Sequence, residues 1–209
     1  MTASKNEEAK DTAKAAPKPV GGVIIAEDNS KTRLFLKNQL ELLGYEVIGA
    51  VNNGKDAVDL AAETEPNLII LDVKMPKMDG IEAAKEITAN GPVPIILITG
   101  ISSDEMAAKA IEAGVFAYLV KPVTKKQLEP AIKLATVRFE EFSSLKTEVY
   151  DLKEAVETRK LVERAKGILQ KRCNISEEDA FKLLQAHSQK ENKKMKEIAE
   201  NIISASKLI

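Results

Sequence analysis

The chain has 209 residues, 30% of them charged, and a formal net charge of −1 at pH 7. This length allows one large domain or two small ones, and the near-neutral total charge excludes a bulk attraction to nucleic acids or membranes. A single cysteine, Cys173, excludes an intrachain disulfide and fits a reducing compartment.

Charge is distributed unevenly along the chain. Residues 21–150 contain 14 basic and 19 acidic side chains, whereas residues 151–209 contain 13 basic and 10 acidic ones. An acidic first part and a basic second part predict two modules with different partners. No apolar run approaches the roughly 20 residues of a membrane span, and the N-terminus lacks the apolar stretch of a signal peptide. We therefore expect a cytoplasmic protein that does not associate with membranes.

The first segment, residues 1–19, consists mainly of Ala, Lys, Glu, Thr and Pro. It contains almost no bulky apolar side chain, so burial cannot offset the entropy that ordering the segment would cost. This composition predicts a disordered tail.

From Gly22 onward, short apolar runs alternate with helical patterns. The runs that we predict to be strands are residues 23–26, 45–51, 67–71, 94–99 and 115–119. A helical pattern follows each run, and Gly and Pro mark many of the stops between them. Continuously apolar strands that alternate with helices are typical of a doubly wound α/β fold, in which a parallel sheet carries helices on both faces.

Polar side chains stand at the ends of four of these runs. Glu27 and Asp28 follow the first run, Asp72 follows the third, Thr99 closes the fourth and Lys121 lies just beyond the fifth. The carboxyl ends of parallel strands meet at one edge of the sheet, where α/β folds build their sites. Carboxylates that lie close together destabilise one another unless a cation stands between them. A small set of oxygen ligands suits Mg²⁺.

Such a site suits phosphoryl transfer onto a carboxylate. Asp72 would be the nucleophile, the metal and Lys121 would neutralise charge on the transferred group, and the Thr99 hydroxyl would donate a hydrogen bond to it. Taken singly, each feature has a structural explanation, because an acid after a strand can cap a turn and a Lys-Pro pair is usually a loop. Four such features in order, at four strand ends, favour the functional interpretation.

Several motifs resemble those of the receiver domain of two-component response regulators. These motifs are Glu27-Asp28, the segment from Asp72 to Gly80, Thr99 and Lys121-Pro122. The resemblance covers residues 22–140 and implies a flavodoxin-like, five-stranded receiver domain, which we assign to residues 20–138. It further implies that a sensor histidine kinase phosphorylates Asp72, and that Thr99 and Tyr118 are the switch hydroxyl and the switch aromatic residue.

The same resemblance implies a Mg²⁺ site. Asp28, Asp72 and the backbone carbonyl of Lys74 would hold the ion. Glu27 stands where the family more often has Asp, and it would act mainly through water.

The last helical pattern of this part starts at Thr124, where Thr124 and Gln127 have the spacing of a capping box. It contains Pro130, which predicts a kink or a late helix start. Further on, apolar residues recur at the spacings of a coiled-coil seam, namely Phe142, Leu145, Val149, Leu152 and Val156. A helix that packs on its own domain would show the same pattern. We favour an intermolecular coiled coil over residues 139–157, because the stretch lies beyond the last strand and the sheet already has its five helices.

Residues 158–205 carry three more helical patterns and no strand pattern. Between Arg159 and Arg172 there are six basic residues and one acid, Glu163, while the apolar face of the helix remains intact. A solvated helix face explains most charge runs, but an almost purely positive face also fits contacts to phosphates. A second basic cluster precedes the last helix and consists of Lys190, Lys193, Lys194 and Lys196. These residues alone leave both DNA and RNA open as partners.

Three segments of this part resemble the ANTAR domain of transcription antitermination regulators, namely residues 159–167, 176–181 and 195–199. The resemblance implies an all-α, three-helix domain, which we assign to residues 158–209. The family binds RNA stem-loops in a leader transcript and so blocks a terminator hairpin. The candidate RNA contacts are Lys160, Arg164, Lys166, Gly167 and Arg172. Gly167 could instead serve close helix packing.

We therefore expect a response regulator in which phosphorylation of Asp72 favours a homodimer, so that two basic modules bind two RNA hairpins. The seam is short, and a few kcal/mol would suffice to reverse its population. One alternative is a DNA-binding regulator with the same input domain. Another is a phosphotransfer shuttle whose C-terminal module binds protein. In each case we expect that the protein is not an enzyme in the ordinary sense, since Asp72 itself is phosphorylated and is later regenerated by hydrolysis.

Overall fold

The computed structural model of the protein describes residues 22–100 and 103–206. The predicted disordered tail, residues 1–19, lies outside the described residues. The described residues divide into two compact units, with the boundary between Ser143 and Ser144, and we describe the units in turn. No helix in the described ranges is long and apolar enough to cross a membrane.

The first unit contains five strands connected by helices. In chain order the elements are β1 (Val23–Ala26), α1 (Ser30–Leu42), β2 (Val47–Val51), α2 (Gly54–Thr64), β3 (Leu68–Asp72), α3 (Gly80–Asn90), β4 (Ile95–Thr99), α4 (Asp104–Glu112), β5 (Ala117–Val120) and the start of α5 (Lys125–Cys173). All strand pairs are parallel, and the strands lie in the order β2-β1-β3-β4-β5. This topology confirms the predicted doubly wound α/β fold.

Two of the predicted strands begin two residues later than expected, and the turns before them explain why. The amide of Tyr45 donates to the carbonyl of Leu40, and the amide of Val115 donates in the same way to Ala110. Each bond closes the end of a helix after a glycine with positive φ, which is 83° at Gly44 and 74° at Gly114. Because these amides complete helix ends, β2 and β5 begin two residues further on.

The core consists of two apolar layers, one on each face of the sheet. Successive residues of a strand point to opposite faces. Ile24 and Ile69 therefore belong to the layer that includes the buried residues of α2 and α3, whereas Ile25 and Ile70 belong to the layer that includes those of α1 and α5. Burial on both faces accounts for the continuously apolar strands in the sequence.

Helix α5 runs without interruption from Lys125 to Cys173. At its start the amide of Thr124 donates to Gln127 Oε1 at 3.1 Å, as the predicted capping pattern implies. Pro130 lies inside the helix without delaying its start. The predicted linker, residues 139–157, is part of the same helix as the basic stretch that follows it.

The second unit comprises the C-terminal part of α5 together with α6 (Glu177–Glu191) and α7 (Met195–Ser206). Its core contains Val162, Ala165, Leu184, Ile198, Ala199 and Ile203. Lys196 Nζ lies 3.7 Å from Glu157 Oε2, and Arg172 Nη2 donates to the carbonyl of Ser206 at 2.9 Å. These two contacts show that α7 lies beside α5 and runs in the same direction. The described residues of the unit form three helices and no strand, which agrees with the all-α class predicted for the C-terminal part of the chain.

Candidate functional site

Three acidic side chains converge at the carboxyl edge of the sheet. β1 and β3 are neighbours, with Ala26 opposite Leu71, so the residues that follow these two positions lie side by side. Glu27 and Asp72 are buried, whereas Asp28 is exposed. One carboxylate oxygen of each acid lies within 4.8 Å of the other two. The structure thus brings together the three acids that the sequence analysis selected.

Lys121 places a positive charge between the two buried acids. Its Nζ lies 2.9 Å from Glu27 Oε2 and 3.0 Å from Asp72 Oδ1. Burial raises the pKa of Glu27 and of Asp72, and the hydrogen bonds from Lys121 oppose this effect. Burial alone would lower the pKa of Lys121, but its hydrogen bonds to the two carboxylates outweigh burial and raise it. Lys121 is therefore held as an ammonium beside the Asp72 carboxylate.

The two predicted switch residues lie in different surroundings. Thr99 ends β4 and is 3% exposed, and its carbonyl accepts a hydrogen bond from the Lys121 amide at 2.8 Å. This bond fixes the residue after β5 beside the end of β4. Tyr118 lies on β5 opposite Leu97 and is 44% exposed. Thr99 thus stands at the same sheet edge as Asp72, and the ring of Tyr118 faces outward.

The donor set of this edge fits a hard divalent cation. Its side-chain ligands would be carboxylate oxygens only, and the exposed carboxylate of Asp28 leaves room for water molecules, which Mg²⁺ retains in proteins. Lys74 lies two residues after Asp72, at an exposed position of the loop that leads to α3. Both oxygens of Glu27 contact Lys121, which fits an indirect role for this acid.

The start of α3 packs against the end of β3 and supports the site. Asp79 caps the helix, since its Oδ1 accepts hydrogen bonds from the amides of Ile81 and Glu82 at 2.8 Å each. A Cβ atom on Gly80 would collide with the carbonyl oxygen of Asp72. The close approach of the helix to the strand end therefore requires glycine at this position.

Arg33 is a site residue that the sequence analysis did not find. Its Nη1 donates to the backbone carbonyl of Glu27 at 2.6 Å and to that of Asp28 at 3.4 Å. Together with Asn29, which caps α1, it holds the loop that carries the two acids. The contact joins a side chain of α1 to backbone carbonyls that no side-chain pattern marks, so the sequence offered no signal for it.

In the second unit, the predicted RNA contacts differ in accessibility. Lys160 and Arg164 are exposed on α5. Lys166 is only 8% exposed, and its Nζ lies 2.9 Å from Glu163 Oε1 and 2.7 Å from Glu177 Oε1. This position does not fit the expectation of a free phosphate contact. Lys166 instead ties α5 to the first turn of α6.

The remaining two predicted contacts lie further along α5. A Cβ atom on Gly167 would meet no atom within 4 Å, so close packing against the described residues does not explain this glycine. Arg172 is exposed, and it also donates to the carbonyl of Ser206. Gly167 therefore leaves a gap in the side-chain surface of the helix, and Arg172 joins the C-terminal ends of α5 and α7.

The predicted seam residues are exposed on α5. Their exposed fractions range from 47% to 61%, and the residues are Phe142, Leu145, Val149, Leu152 and Val156. Phe142 makes an edge contact with Phe116, with 5.9 Å between ring centroids, so this residue also packs on its own unit. The other four form an apolar row that is about half exposed or more.

Comparison with known protein families identifies both parts of the chain. The response regulator receiver domain matches residues 23–133, and the ANTAR domain matches residues 150–203. The first match contains all the strand-end residues of the sheet edge. The second contains all the predicted RNA contacts.

Some individual proteins are similar to this chain over both parts, and others only over the first part. The transcriptional regulatory protein PdtaR of Mycobacterium tuberculosis is 45% identical over 181 residues, which cover 87% of this chain and 88% of that protein. The probable transcriptional regulator ycf27 of Galdieria sulphuraria is 37% identical and covers 57% of this chain and 47% of its own length. The signal receiver domain of a modulated diguanylate cyclase from Desulfovibrio desulfuricans G20 has a TM-score of 0.53 and 35% identity, over 57% of this chain and 96% of that chain.

Proposed function

Since the chain belongs to the response regulators, with a receiver domain followed by an ANTAR domain, we propose that it is switched on by phosphorylation of Asp72. The phosphorylated protein forms a dimer, and this dimer binds RNA stem-loops and causes transcription antitermination. The observation that carries this proposal is the environment of Asp72. Its carboxylate is buried, lies 3.0 Å from the Lys121 ammonium and is grouped with two further acids.

In the proposed reaction, an oxygen of Asp72 attacks the phosphorus of a phosphohistidine in a sensor kinase, and the bond from phosphorus to nitrogen breaks. The nucleophile must be ionised, and Lys121 stabilises the carboxylate against the effect of burial on its pKa. Asp28, Asp72 and the carbonyl of Lys74 would hold Mg²⁺, with Glu27 acting indirectly. The bound ion would neutralise charge on the transferred group.

The phosphoryl group changes the contacts around the strand ends. In the unphosphorylated protein Lys121 binds the free carboxylate of Asp72. After phosphorylation Lys121 donates its hydrogen bonds to the phosphoryl oxygens instead. Thr99, at the end of the adjacent strand, donates to another of these oxygens. The ring of Tyr118 turns inward from its exposed position, and the surface formed by α4, β5 and α5 changes with it. This surface change is what favours the dimer.

The apolar row on α5 provides dimer contacts that are weak enough to be switched. Full burial of one Leu or Val side chain stabilises by about 1.5–3 kcal/mol. Association costs about 4–15 kcal/mol or more before any gain is seen. Leu145, Val149, Leu152 and Val156 are only about half exposed, so they gain less than the full amount. The seam alone is therefore marginal, and a contribution from the phosphorylated receiver decides the equilibrium.

RNA binding uses the exposed cations of α5 rather than all of its basic residues. Lys160, Arg164 and Lys171 lie near the gap at Gly167, because residues three, four and seven apart share a helix face. An uncovered glycine lets a nucleic-acid backbone approach the helix closely. Lys166 acts as a positioning residue that holds α6 against α5.

The proposal is tested by a binding titration with a synthetic RNA that carries two short hairpins in tandem. Wild type and Asp72→Ala are each titrated with and without acetyl phosphate and Mg²⁺, at one fixed salt concentration. We expect tight binding only for wild type with the donor, because the variant cannot form the aspartyl phosphate. Sedimentation of the same samples measures dimer formation.

Three other results would contradict parts of the proposal. Equal RNA binding by Asp72→Ala and donor-treated wild type would remove the switch. Displacement of the RNA by duplex DNA at equal concentration would favour a DNA-binding regulator. Failure to bind either nucleic acid, together with rapid phosphoryl exchange with a histidine-containing protein, would favour a phosphotransfer shuttle.

A further inference from the structure

The lysine-rich turn between α6 and α7 has no role in the function proposed so far. This turn, which we call the lysine turn, spans residues 190–196 and contains Lys190, Lys193, Lys194 and Lys196. Cations near the C-terminus of a helix interact favourably with its dipole, which accounts for Lys190 in the last turn of α6. The dipole does not account for Lys194 and Lys196, which follow the end of that helix.

The backbone of the lysine turn is ordered by local hydrogen bonds. Asn192 ends α6 in the left-handed conformation, with φ 52°. The amide of Lys193 donates to the carbonyl of Ser188 at 3.1 Å, and the hydroxyl of Ser188 donates to the carbonyl of Lys193 at 2.6 Å. The lysine side chains therefore extend from a turn of defined shape.

Two of the four lysines are already paired with carboxylates. Lys193 Nζ lies 2.7 Å from Glu191 Oε2, and Lys196 approaches Glu157 at 3.7 Å. Within the described ranges, Lys190 and Lys194 form no salt bridge, and both are exposed. Their charges are thus available to an external anion.

The contact of Lys196 with Glu157 places the lysine turn beside α5. Lys153 and Lys160 flank Glu157 at four and three residues on the same face of that helix, and both are exposed. Lys160 is also the first residue of the basic face that continues through Arg164 towards Gly167. The positive surface of α5 and the lysine turn therefore adjoin each other at Lys160.

We propose that the lysine turn and the basic face of α5 form one extended contact for the phosphate backbone of RNA, in which Lys190 and Lys194 each bind a phosphate. This inference rests on the proposed RNA-binding function and adds a second surface to it. Apart from Met195, which packs against the core of the second unit, the lysine turn contains no apolar side chain. An interface with another protein would need an apolar centre, whereas nucleic-acid interfaces are polar and strongly positive.

The test measures the salt dependence of binding, which reports the number of phosphate contacts. Donor-treated, full-length protein is titrated with the tandem-hairpin RNA at several salt concentrations between about 0.05 and about 0.3 M. The double variant Lys190→Gln/Lys194→Gln is compared with Lys55→Gln/Lys85→Gln, which removes the same charge from two exposed lysines on α2 and α3 of the first unit. A third variant, Lys190→Arg/Lys194→Arg, keeps the charge of the lysine turn.

We expect the slope of log K against log salt to fall by about one for each lost contact, hence by roughly two in Lys190→Gln/Lys194→Gln. The matched control and the arginine variant should keep the wild-type slope. Circular dichroism checks that the helices of each variant are intact. A wild-type slope in Lys190→Gln/Lys194→Gln would overturn the inference, and so would an equal loss in the control, since that would be a general charge effect. Absence of RNA binding in wild type would refute the proposed function as well.

Discussion

At the scale of single residues, the sheet edge depends on one cation that serves two buried acids. Glu27 and Asp72 have neighbouring carboxylates, and each lies about 3 Å from the Lys121 ammonium. Without a cation, two such carboxylates would repel each other and one of them would take up a proton. A bound Mg²⁺ and the lysine therefore perform partly overlapping electrostatic tasks.

This overlap predicts the behaviour of Lys121→Met. Removal of the ammonium leaves the two acids uncompensated, so the variant should melt at a lower temperature than wild type in the absence of Mg²⁺. Added Mg²⁺ should raise the melting temperature of the variant more than that of wild type, because the metal then supplies the missing positive charge. Thermal denaturation with and without Mg²⁺ measures both effects, and Lys125→Met, at an exposed position, is the control. An identical Mg²⁺ shift in all three proteins would contradict this account.

Lys166 belongs to the basic run of α5, but its ammonium is already paired with two carboxylates. Its hydrogen bonds to Glu177 and Glu163 raise its pKa, and they join α6 to α5. We predict that Lys166→Met lowers the melting temperature of the protein, whereas Lys160→Met leaves it unchanged and weakens RNA binding. Calorimetry together with RNA titration separates the two roles. If Lys166→Met keeps the wild-type melting temperature but its RNA binding depends less steeply on salt, Lys166 is instead a direct RNA contact.

At the scale of elements, the position of α3 is set by a glycine. Gly80→Ala should push the first turn of α3 away from the Asp72 carbonyl and destabilise the first unit by about 1–3 kcal/mol. The collision also pushes on the end of β3, which carries the phosphoacceptor Asp72. Phosphorylation of Asp72 by acetyl phosphate should therefore be slower in this variant. Gly91→Ala is the matched control, since a Cβ atom there would meet nothing within 4 Å. Urea denaturation and the phosphorylation rate are the two measurements, and equal stability of both variants would rule out the proposed collision.

The long helix α5 joins three segments that differ in apolar spacing and charge. These segments are the last helix of the receiver domain, the predicted coiled-coil linker and the basic stretch of the C-terminal module. No strong stop signal separates these segments: Pro130 lies near the helix start, and Gly167 is tolerated inside a helix. A change in which face is apolar reflects a change of neighbours and does not by itself end a helix.

At the scale of the whole molecule, the sequence predicts best those features that recur at a fixed spacing or that mark the ends of helices and strands. Apolar runs, glycine-marked helix ends and polar strand ends were enough to predict the parallel sheet and to select Glu27, Asp28 and Asp72 as neighbours. Arg33 was missed because its role depends on backbone carbonyls that no motif marks. The pairing of Lys166 was not foreseen because Glu177 is eleven residues away, on another helix. Partners brought together by tertiary structure leave no periodic signal.

The proposed coupling between dimerisation and RNA binding can be tested in the reverse direction. If the dimer binds a two-hairpin RNA more tightly than the monomer does, thermodynamic linkage requires that this RNA favours the dimer by the same factor. We therefore predict that tandem-hairpin RNA dimerises the unphosphorylated protein at concentrations where the free protein is monomeric. A single hairpin should not do so, because it cannot bridge two modules. Analytical ultracentrifugation with each RNA measures the protein stoichiometry, and Leu152→Asp should weaken the effect by placing a charge in the seam. Equal dimerisation by a single-hairpin RNA would contradict this prediction. It would show that RNA favours the dimer by binding one protomer and does not need to bridge two modules.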